Sequence, residues 1–320
     1  MAKRVKKIDE PESKYINPLT DFGFKHIFGD KELLIDFLNA VLKIKGGIIE
    51  LHYDNPEIPG RSEKDRTTIF DLYCTTGNGE SIIIEMQNQS HTYFIDRIIY
   101  YSSRLIQEQG ENKKGDETWN FELNPVYSVN IVNFTIRKRK KKQANEYISY
   151  AHLMYDDDKQ VVYEKLSFVF LELPNFKKEE HDLENNIDKW MFTLRNLTKL
   201  NNLPDALRNR IFEKLFLKAE IAKLTKEERK KYNQSLKNFR EMNLAVRDRD
   251  LIIRDIKRDR DLIIREIKRD RDLIIRDRDL IIRDIKRDRD LLIKQKDKRI
   301  AELEQLLSLN STSQRKNGEN

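Results

Sequence analysis

Two acidic side chains lie on neighbouring predicted strands, where they could share a metal ion or a proton. Asp71 lies in an apolar run over residues 69–74, and Glu85 lies in a second apolar run over residues 81–87. Both runs are rich in β-branched or aromatic residues, and Gly77-Asn78-Gly79 separates them, which predicts an antiparallel hairpin. Because side chains alternate faces along a strand, such a hairpin can bring both carboxylates to one face.

The length of the turn determines which residues face each other. A three-residue loop centred on Asn78, with Gly79 in the left-handed region, pairs Asp71 with Glu85 and sets their side chains roughly 5 Å apart. A two-residue Asn-Gly turn would instead pair Asp71 with Met86. The pattern by itself leaves both registers open.

Two like charges on facing residues of an apolar hairpin repel each other, and desolvation increases the penalty. The penalty is relieved if one carboxyl keeps its proton or if a cation lies between the two. Oxygen ligands favour a hard ion, Mg²⁺ or Mn²⁺. The alternative is that Asp71 and Glu85 lie at the solvated end of the hairpin and bind nothing.

Composition and missing motifs narrow the class of protein. The 320-residue chain is 38% hydrophobic and 37% charged, too polar for one uniform globule, and its net charge of +7 leans towards anionic partners. A single cysteine, Cys74, excludes an internal disulfide, and no signal peptide or apolar stretch of membrane-spanning length is present. We therefore expect a soluble, cytoplasmic protein without membrane contact. Phosphate-loop, nucleophile-elbow and Cys-x-x-Cys motifs are absent, and the five histidines lack zinc-ligand spacing.

The elements that must position the acid pair follow from caps and periodicity. Thr20 predicts the start of a short helix over residues 21–28, and helical periodicity continues over residues 31–42. The remaining predicted elements are a strand at 48–53, the hairpin, a helix at 91–109, a strand at 125–136 and a strand at 166–173. Through the strand at 125–136 the order is α-β-β-β-α-β.

Two further sets of side chains could take part in chemistry. Asp21 and Lys25 are one helical turn apart, which an ordinary ion pair explains. Arg97, Tyr101 and Arg104 lie close to one stripe of the helix at 91–109. Two cations and a phenol on one stripe could hold a phosphate backbone, or they could form a solvated outer face.

Four sequence blocks, taken in order, resemble the PD-(D/E)XK nuclease superfamily. The closer likeness is to its recombination-promoting nuclease (Rpn) branch, also described as PD-(D/E)XK nuclease family transposases. The blocks are residues 21–28, 69–71, 84–87 and 97–103, and the likeness extends from about residue 15 to residue 245. The resemblance implies a restriction-endonuclease-like α/β core of the α-β-β-β-α-β order.

The resemblance also implies a function. The protein would be a Mg²⁺- or Mn²⁺-dependent DNA endonuclease with a link to recombination, in which Asp71 and Glu85 ligate the metal. Gln87 occupies the position at which the superfamily normally has a lysine that orients or activates the attacking water. Glutamine can hydrogen-bond a water, but it has no positive charge and cannot act as a base. The segment holding Asp21 and Lys25 would border this active site.

The glutamine at this position keeps a second interpretation open. A DNA-binding or scaffolding protein with weak or no catalysis would also fit the sequence. A run of six cations starts with Arg137, Lys138, Arg139 and Lys140, and on a nuclease-like body it could contact DNA without sequence preference. Such runs are otherwise solvated loops.

The C-terminal part of the chain is repetitive and lacks glycine and proline from residue 206 to residue 317. Apolar triplets open at Leu251, Leu262, Leu273, Leu280 and Leu291, in steps of 11, 11, 7 and 11 residues. This spacing corresponds to about 3.64 residues per turn, close to a straight helix. A helix over residues 247–307 would be about 90 Å long and could not bury its apolar stripe alone. We expect a homo-oligomeric coiled coil, with a solvated single helix as the alternative.

These observations predict five segments. A flexible basic N-terminus covers residues 1–14, and the nuclease-like domain covers residues 15–180. A helical subdomain follows at 181–245, then the repetitive coiled coil at 246–309 and a disordered tail at 310–320.

Overall fold

The structure is a computed structural model that describes residues 13–58, 68–113, 115, 118–136 and 147–316, with side chains described as far as residue 307. Contacts divide the chain into two units, Met1–Leu244 and Ala245–Asn320. Each unit is described by itself.

A six-stranded mixed sheet forms the centre of the first unit. Its strands in chain order are β1 (Leu51–Tyr53), β4 (Leu72–Thr76), β5 (Ser81–Gln87), β6 (Val126–Val132), β7 (Ile148–Met154) and β8 (Val161–Glu172). Their spatial order is β1-β4-β5-β6-β8-β7, and β2 (Glu57–Ile58) pairs separately with β3 (Thr68–Ile69). The β5–β6 and β6–β8 pairs are parallel, and the other pairs are antiparallel.

Helices cover both faces of this sheet. They are α1 (Asp21–Phe28), α2 (Lys31–Val41), α3 (Phe94–Asn112), α4 (Asn186–Asn196), α5 (Arg210–Ala219) and the first part of α6 (Lys226–Lys316). The starts of α1 and α2 are fixed by side-chain caps, because Thr20 Oγ1 accepts from the Gly23 amide and Asp30 accepts from the amides of Glu32 and Leu33.

The larger core lies on the face covered by α1, α2, α4 and α5. Phe28, Phe37, Trp190 and Phe212 form a cluster of rings with centroids 4.8–5.6 Å apart. The Trp190 indole donates to Asp36 Oδ1 at 2.7 Å, so its polar atom is satisfied inside the core. Large apolar side chains of α4 and α5 are buried here, among them Trp190, Phe192, Phe212, Leu215 and Phe216.

Helix α3 covers the opposite face and forms the crossover between the parallel strands β5 and β6. Leu105 packs with Phe70 and Ile83, and Ile98 packs with Val132. Because Glu85 is two residues from Ile83 on β5, it shares this face of the sheet.

The predicted α-β-β-β-α-β order is confirmed, with differences at the edges of the fold. Strand β8 starts at Val161 rather than at residue 166, the predicted strand at 69–74 is divided between β3 and β4, and β2 and β7 were not predicted. Strand β7 lies at an edge and is only partly buried, so its sequence lacks a continuous apolar run. On α3 the buried stripe is narrow, so Ile95 and Ile99 are exposed although Phe94 and Ile98 beside them are buried.

The second unit consists of the continuation of α6, as the absence of glycine and proline predicted. The side chains of its triplets are well exposed: Leu251 is 51% exposed and Ile252 is 60% exposed. Within the described residues, no helix combines the length and apolarity needed to cross a membrane.

Candidate active site

The β4–β5 hairpin adopts the register that brings the two acids together. Leu72 pairs with Ile84 and Thr75 pairs with Ser81, and Gly79 has a φ of +86°. One step beyond the last paired residues, Asp71 therefore lies opposite Glu85. This is the register of the three-residue turn, and the pairing of Asp71 with Met86 is excluded.

Asp71 and Glu85 are joined through the backbone at the end of the hairpin. Asp71 Oδ2 accepts from the Met86 amide at 2.7 Å, and Glu85 Oε1 accepts from the Asp71 amide at 3.3 Å. Asp71 lies in a bend just before β4, where its carboxylate satisfies a β5 amide beyond the paired residues. The two hydrogen bonds hold both carboxylates on the same side of the hairpin end.

Burial makes this an unusual pair of acids. Glu85 is 4% exposed, and its pKa is raised to about 8 by desolvation and then by the nearby charge of Asp71. Desolvation also raises the pKa of Asp71, although the Met86 amide and the charge of Lys25 act in the opposite direction. The pair thus disfavours two negative charges and would be stabilised by an added cation.

Gln87 and Arg97 contact the same carboxylate. Gln87 Nε2 donates to Glu85 Oε2 at 3.2 Å, and Arg97 Nη2 lies 4.0 Å from Glu85 Oε2. The Arg97 guanidinium also lies 5.6 Å from the ring centroid of Tyr101. Arg97 and Tyr101 therefore border the acid pair, whereas Arg104 lies further along α3, where it donates to Gln107 at 2.9 Å.

The two interpretations of Asp21 and Lys25 are compatible. Lys25 Nζ lies 2.8 Å from Asp21 Oδ1, so the ion pair forms. Burial lowers the pKa of Lys25, but Asp21, Asp71 and Glu85 outweigh that effect and the net direction is upward. Lys25 therefore belongs to the electrostatic surroundings of the acid pair.

A groove of about 750 Å³ brings these elements together within the first unit. Asp71 and Gln87 line it from the hairpin, and Asp21 and Lys25 line it from α1. Further lining residues come from the segment after β5 and from the N-terminal part of α6, among them Asn88, Gln89, Lys231, Gln234, Ser235 and Asn238. Sequence reasoning missed this second group, although amides one helical turn apart are visible in the sequence.

The predicted polybasic DNA contact consists of Arg137, Lys138, Arg139 and Lys140, and these residues lie outside the part of the chain that the structure describes.

The donor set fits a hard divalent ion only in part. No group of three or more His, Cys, Asp or Glu side chains suited to a metal exists within the described ranges. Asp71 and Glu85 supply two carboxylates, and their mutual repulsion and burial are the conditions that a cation would relieve. Such an ion would take its other ligands from water and substrate, as Mg²⁺ commonly does.

The first unit is thus an α/β protein with a mixed sheet, a crossover helix and two acids at the end of adjacent strands. A family model described as PD-(D/E)XK nuclease family transposase matches residues 18–249. The chain belongs to this family. No curated protein and no solved structure matches it.

Proposed function

We propose that the protein is a metal-dependent endonuclease that hydrolyses phosphodiester bonds in DNA. The observation that carries the proposal is the pair formed by the half-buried Asp71 and the buried Glu85, whose carboxylates accept hydrogen bonds from backbone amides of the hairpin at the edge of an open groove. Desolvated like charges cost free energy, and a site that binds a cation and an anionic substrate accounts for that cost. Membership of a nuclease family supports this activity.

Asp71 and Glu85 would hold Mg²⁺, or Mn²⁺ in its place. When bound, the ion would activate a water and offset the negative charge that develops on the phosphoryl oxygens. Gln87 donates its amide hydrogen to Glu85 and would use its carbonyl oxygen to orient the attacking water. Lys25, which lines the groove from α1, would attract the phosphate.

DNA would be held by side chains around this centre. Arg97, Tyr101 and Arg104 follow one side of α3, with Arg97 next to Glu85. We propose that Arg97 and Tyr101 contact the backbone near the scissile phosphate and that Arg104 contacts it further away. The run from Arg137 to Lys140 would add contacts without sequence preference.

Plasmid nicking tests the proposal directly. Asp71→Asn and Glu85→Gln keep the shape of each side chain, and each should lower the Mg²⁺-dependent rate at least about 100-fold. Glu57→Gln removes an exposed carboxylate outside the groove and should cut like the wild type. Equal rates for the wild type and Asp71→Asn would rule out this active site.

A second function is favoured by Gln87, which leaves the acid pair without the lysine usual in the superfamily. The protein would then bind DNA as a scaffold, with weak or no catalysis. Calorimetric titration with Mg²⁺ separates the two functions. The endonuclease should show binding that Glu85→Gln abolishes, whereas the scaffold should show no binding that depends on Glu85.

We also propose how the rest of the chain serves this function. The apolar triplets of α6 beyond residue 245 would join copies of the chain as a coiled coil, which would present several nuclease-like domains to one DNA. The domain boundaries at residues 180 and 245, a cytoplasmic location and a role in recombination are parts of the same proposal.

A further inference from the structure

Hydrogen bonds attach the N-terminal part of α6 to segments that border the acid pair. The Tyr232 hydroxyl accepts from the Asn17 amide at 3.0 Å, and Ser235 Oγ accepts from the Phe22 amide at 3.1 Å. Further along, Gln89 Nε2 donates to the Met242 carbonyl at 3.1 Å. These contacts hold one side of α6 against the start of α1 and the segment after β5, and they set an adjacent side of the helix along the groove.

That adjacent side carries Lys231, Gln234 and Asn238, which we call the α6 groove face. All three side chains are exposed and line the groove that also contains Asp71. Gln234 Nε2 donates to Asn238 Oδ1 at 2.9 Å, so the two amides form a pair of defined orientation. This bond leaves Gln234 Oε1 as an acceptor and Asn238 Nδ2 as a donor for a ligand in the groove.

The acidic residues of this part of α6 are directed elsewhere. Glu227, Glu228 and Glu241 do not line the groove. Glu228 accepts from Thr225, and Glu241 lies 3.8 Å from Lys237. The α6 groove face thus offers a cation and two amides without a carboxylate, a combination that suits an anionic ligand with hydrogen-bonding edges.

We propose that the α6 groove face binds one strand of the DNA whose phosphodiester lies at the acid pair. Lys231 contacts a phosphate, and the Gln234–Asn238 amide pair contacts the edge of a base. The free acceptor of Gln234 and the free donor of Asn238 complement the donors and acceptors on the edges of bases, and contacts to base edges discriminate between DNA sequences. The inference deepens the proposed function and rests on it, because it takes the acid pair as the place of cleavage.

Binding measurements on the full chain test this inference apart from catalysis. The background is Asp71→Asn, so that the DNA stays intact, and the probes are fluorescent single-stranded and double-stranded oligonucleotides observed by anisotropy with Mg²⁺. Lys231→Ala should reduce the slope of log affinity against log salt by about one, because one phosphate contact is lost. Lys230→Ala is the matched control, since Lys230 is exposed on the same helix but does not line the groove.

The double variant Gln234→Ala/Asn238→Ala should act differently from Lys231→Ala. It should weaken binding about 10-fold with an unchanged salt slope, and it should alter the bases selected from a randomised oligonucleotide pool. Asn233→Ala, on the same helix outside the groove, should change neither property. Each α6 variant should have the same thermal unfolding temperature as its Asp71→Asn parent, because each side chain replaced on α6 is exposed.

The outcomes separate the two proposals. If the wild type does not cut DNA but the α6 variants still weaken binding as expected, the endonuclease fails and the α6 interface stands. If the wild type cuts DNA while Lys231→Ala and the double variant bind and select DNA like their parent, the α6 interface is wrong and the endonuclease stands. Unchanged binding together with absent cleavage overturns both.

Discussion

At the scale of single residues, Gln87 lies at the end of β5, next to the acid pair. Its amide contacts the buried Glu85 carboxylate, so it can transmit changes to the acid pair without being a metal ligand. A lysine at the same place would add a positive charge beside Glu85, whereas an alanine would remove the hydrogen bond. Substitutions of Gln87 therefore separate the effect of its hydrogen bond from the effect of an added positive charge.

If Gln87 orients the water as proposed, Gln87→Ala should lower the single-turnover cleavage rate at saturating Mg²⁺ about 100-fold, because that orienting group would be lost. Gln87→Lys should stay within about 10-fold of the wild type, because the ammonium keeps a donor next to Glu85. Gln160→Ala removes an exposed amide from the β7–β8 turn and should leave the rate unchanged. A Gln87→Ala variant that cuts at the wild-type rate would remove Gln87 from the mechanism.

Asp188 is a second residue whose chemistry depends on burial. Burial raises its pKa, but hydrogen bonds from Tyr147 and Lys178 outweigh burial, so the pKa lies below its ordinary value. A carboxylate with a lowered pKa in the folded state stabilises the fold above its unfolded pKa. That contribution is lost as the pH falls through the folded pKa.

Asp188→Asn should therefore destabilise the protein by about 2 kcal/mol at pH 7, measured by denaturant unfolding, because the buried carboxylate that accepts from Tyr147, Lys178 and the Glu184 amide loses its charge. Below pH 4 the difference from the wild type should shrink, since the wild-type carboxyl is then protonated in the unfolded chain. The exposed Asp157, in the β7–β8 turn, provides the control Asp157→Asn. A difference that is constant from pH 3 to pH 7 would contradict this account.

At the scale of elements, the turn between β4 and β5 sets the strand register that places Asp71 opposite Glu85. Gly79 has a positive φ, and a Cβ at this position would lie 3.1 Å from the Asn124 amide nitrogen. Gly46 has a similar φ of +84°, but a Cβ there would meet nothing within 4 Å among the described atoms. The two glycines thus share the conformational requirement and differ in their neighbours.

Gly46→Ala should lower the free energy of unfolding by about 1 kcal/mol, because an L-residue is strained at positive φ. Gly79→Ala should lower it further, by about 2 kcal/mol, since the Asn124 side chain must also move. Only Gly79→Ala should weaken Mg²⁺ binding by calorimetry, because it disturbs the hairpin that carries both acids. Equal effects of the two substitutions on unfolding and on Mg²⁺ binding would argue against the turn as the determinant of the site.

At the scale of the whole molecule, the exposed apolar side chains of the second unit favour assembly. Ile253, Ile264 and Ile275 recur every 11 residues and are 39–41% exposed in the single chain. Exposed apolar area on this scale is normally covered by a partner. Copies of the same helix are suitable partners because their stripes have the same spacing.

Sedimentation of the full chain should therefore show an oligomer. Ile264→Glu with Ile275→Glu should shift it towards the monomer, since the charges would have to enter the apolar seam. Lys257→Glu with Lys268→Glu introduces the same two glutamates at exposed positions that are not apolar and should leave the oligomer intact. A full chain that sediments as a monomer at micromolar concentration would refute the assembly.

The sequence by itself determined the elements whose signals are local. The Thr20 cap, the glycine turn at Gly79 and the uninterrupted helical pattern of α6 were all visible there. Capping, turn chemistry and periodicity act over a few residues and need no distant partner. The same signals also predicted the register that pairs Asp71 with Glu85, as one of two alternatives.

Only the tertiary structure decided the features that depend on distant segments. The choice of register, the burial that raises the pKa of Glu85 and the orientation of Arg97 towards it all require the sheet and α3 to be packed. The α6 groove face is set by contacts between residues about two hundred positions apart, such as Ser235 with Phe22. Desolvation and long-range hydrogen bonds exist only once these segments meet, so no local pattern encodes them.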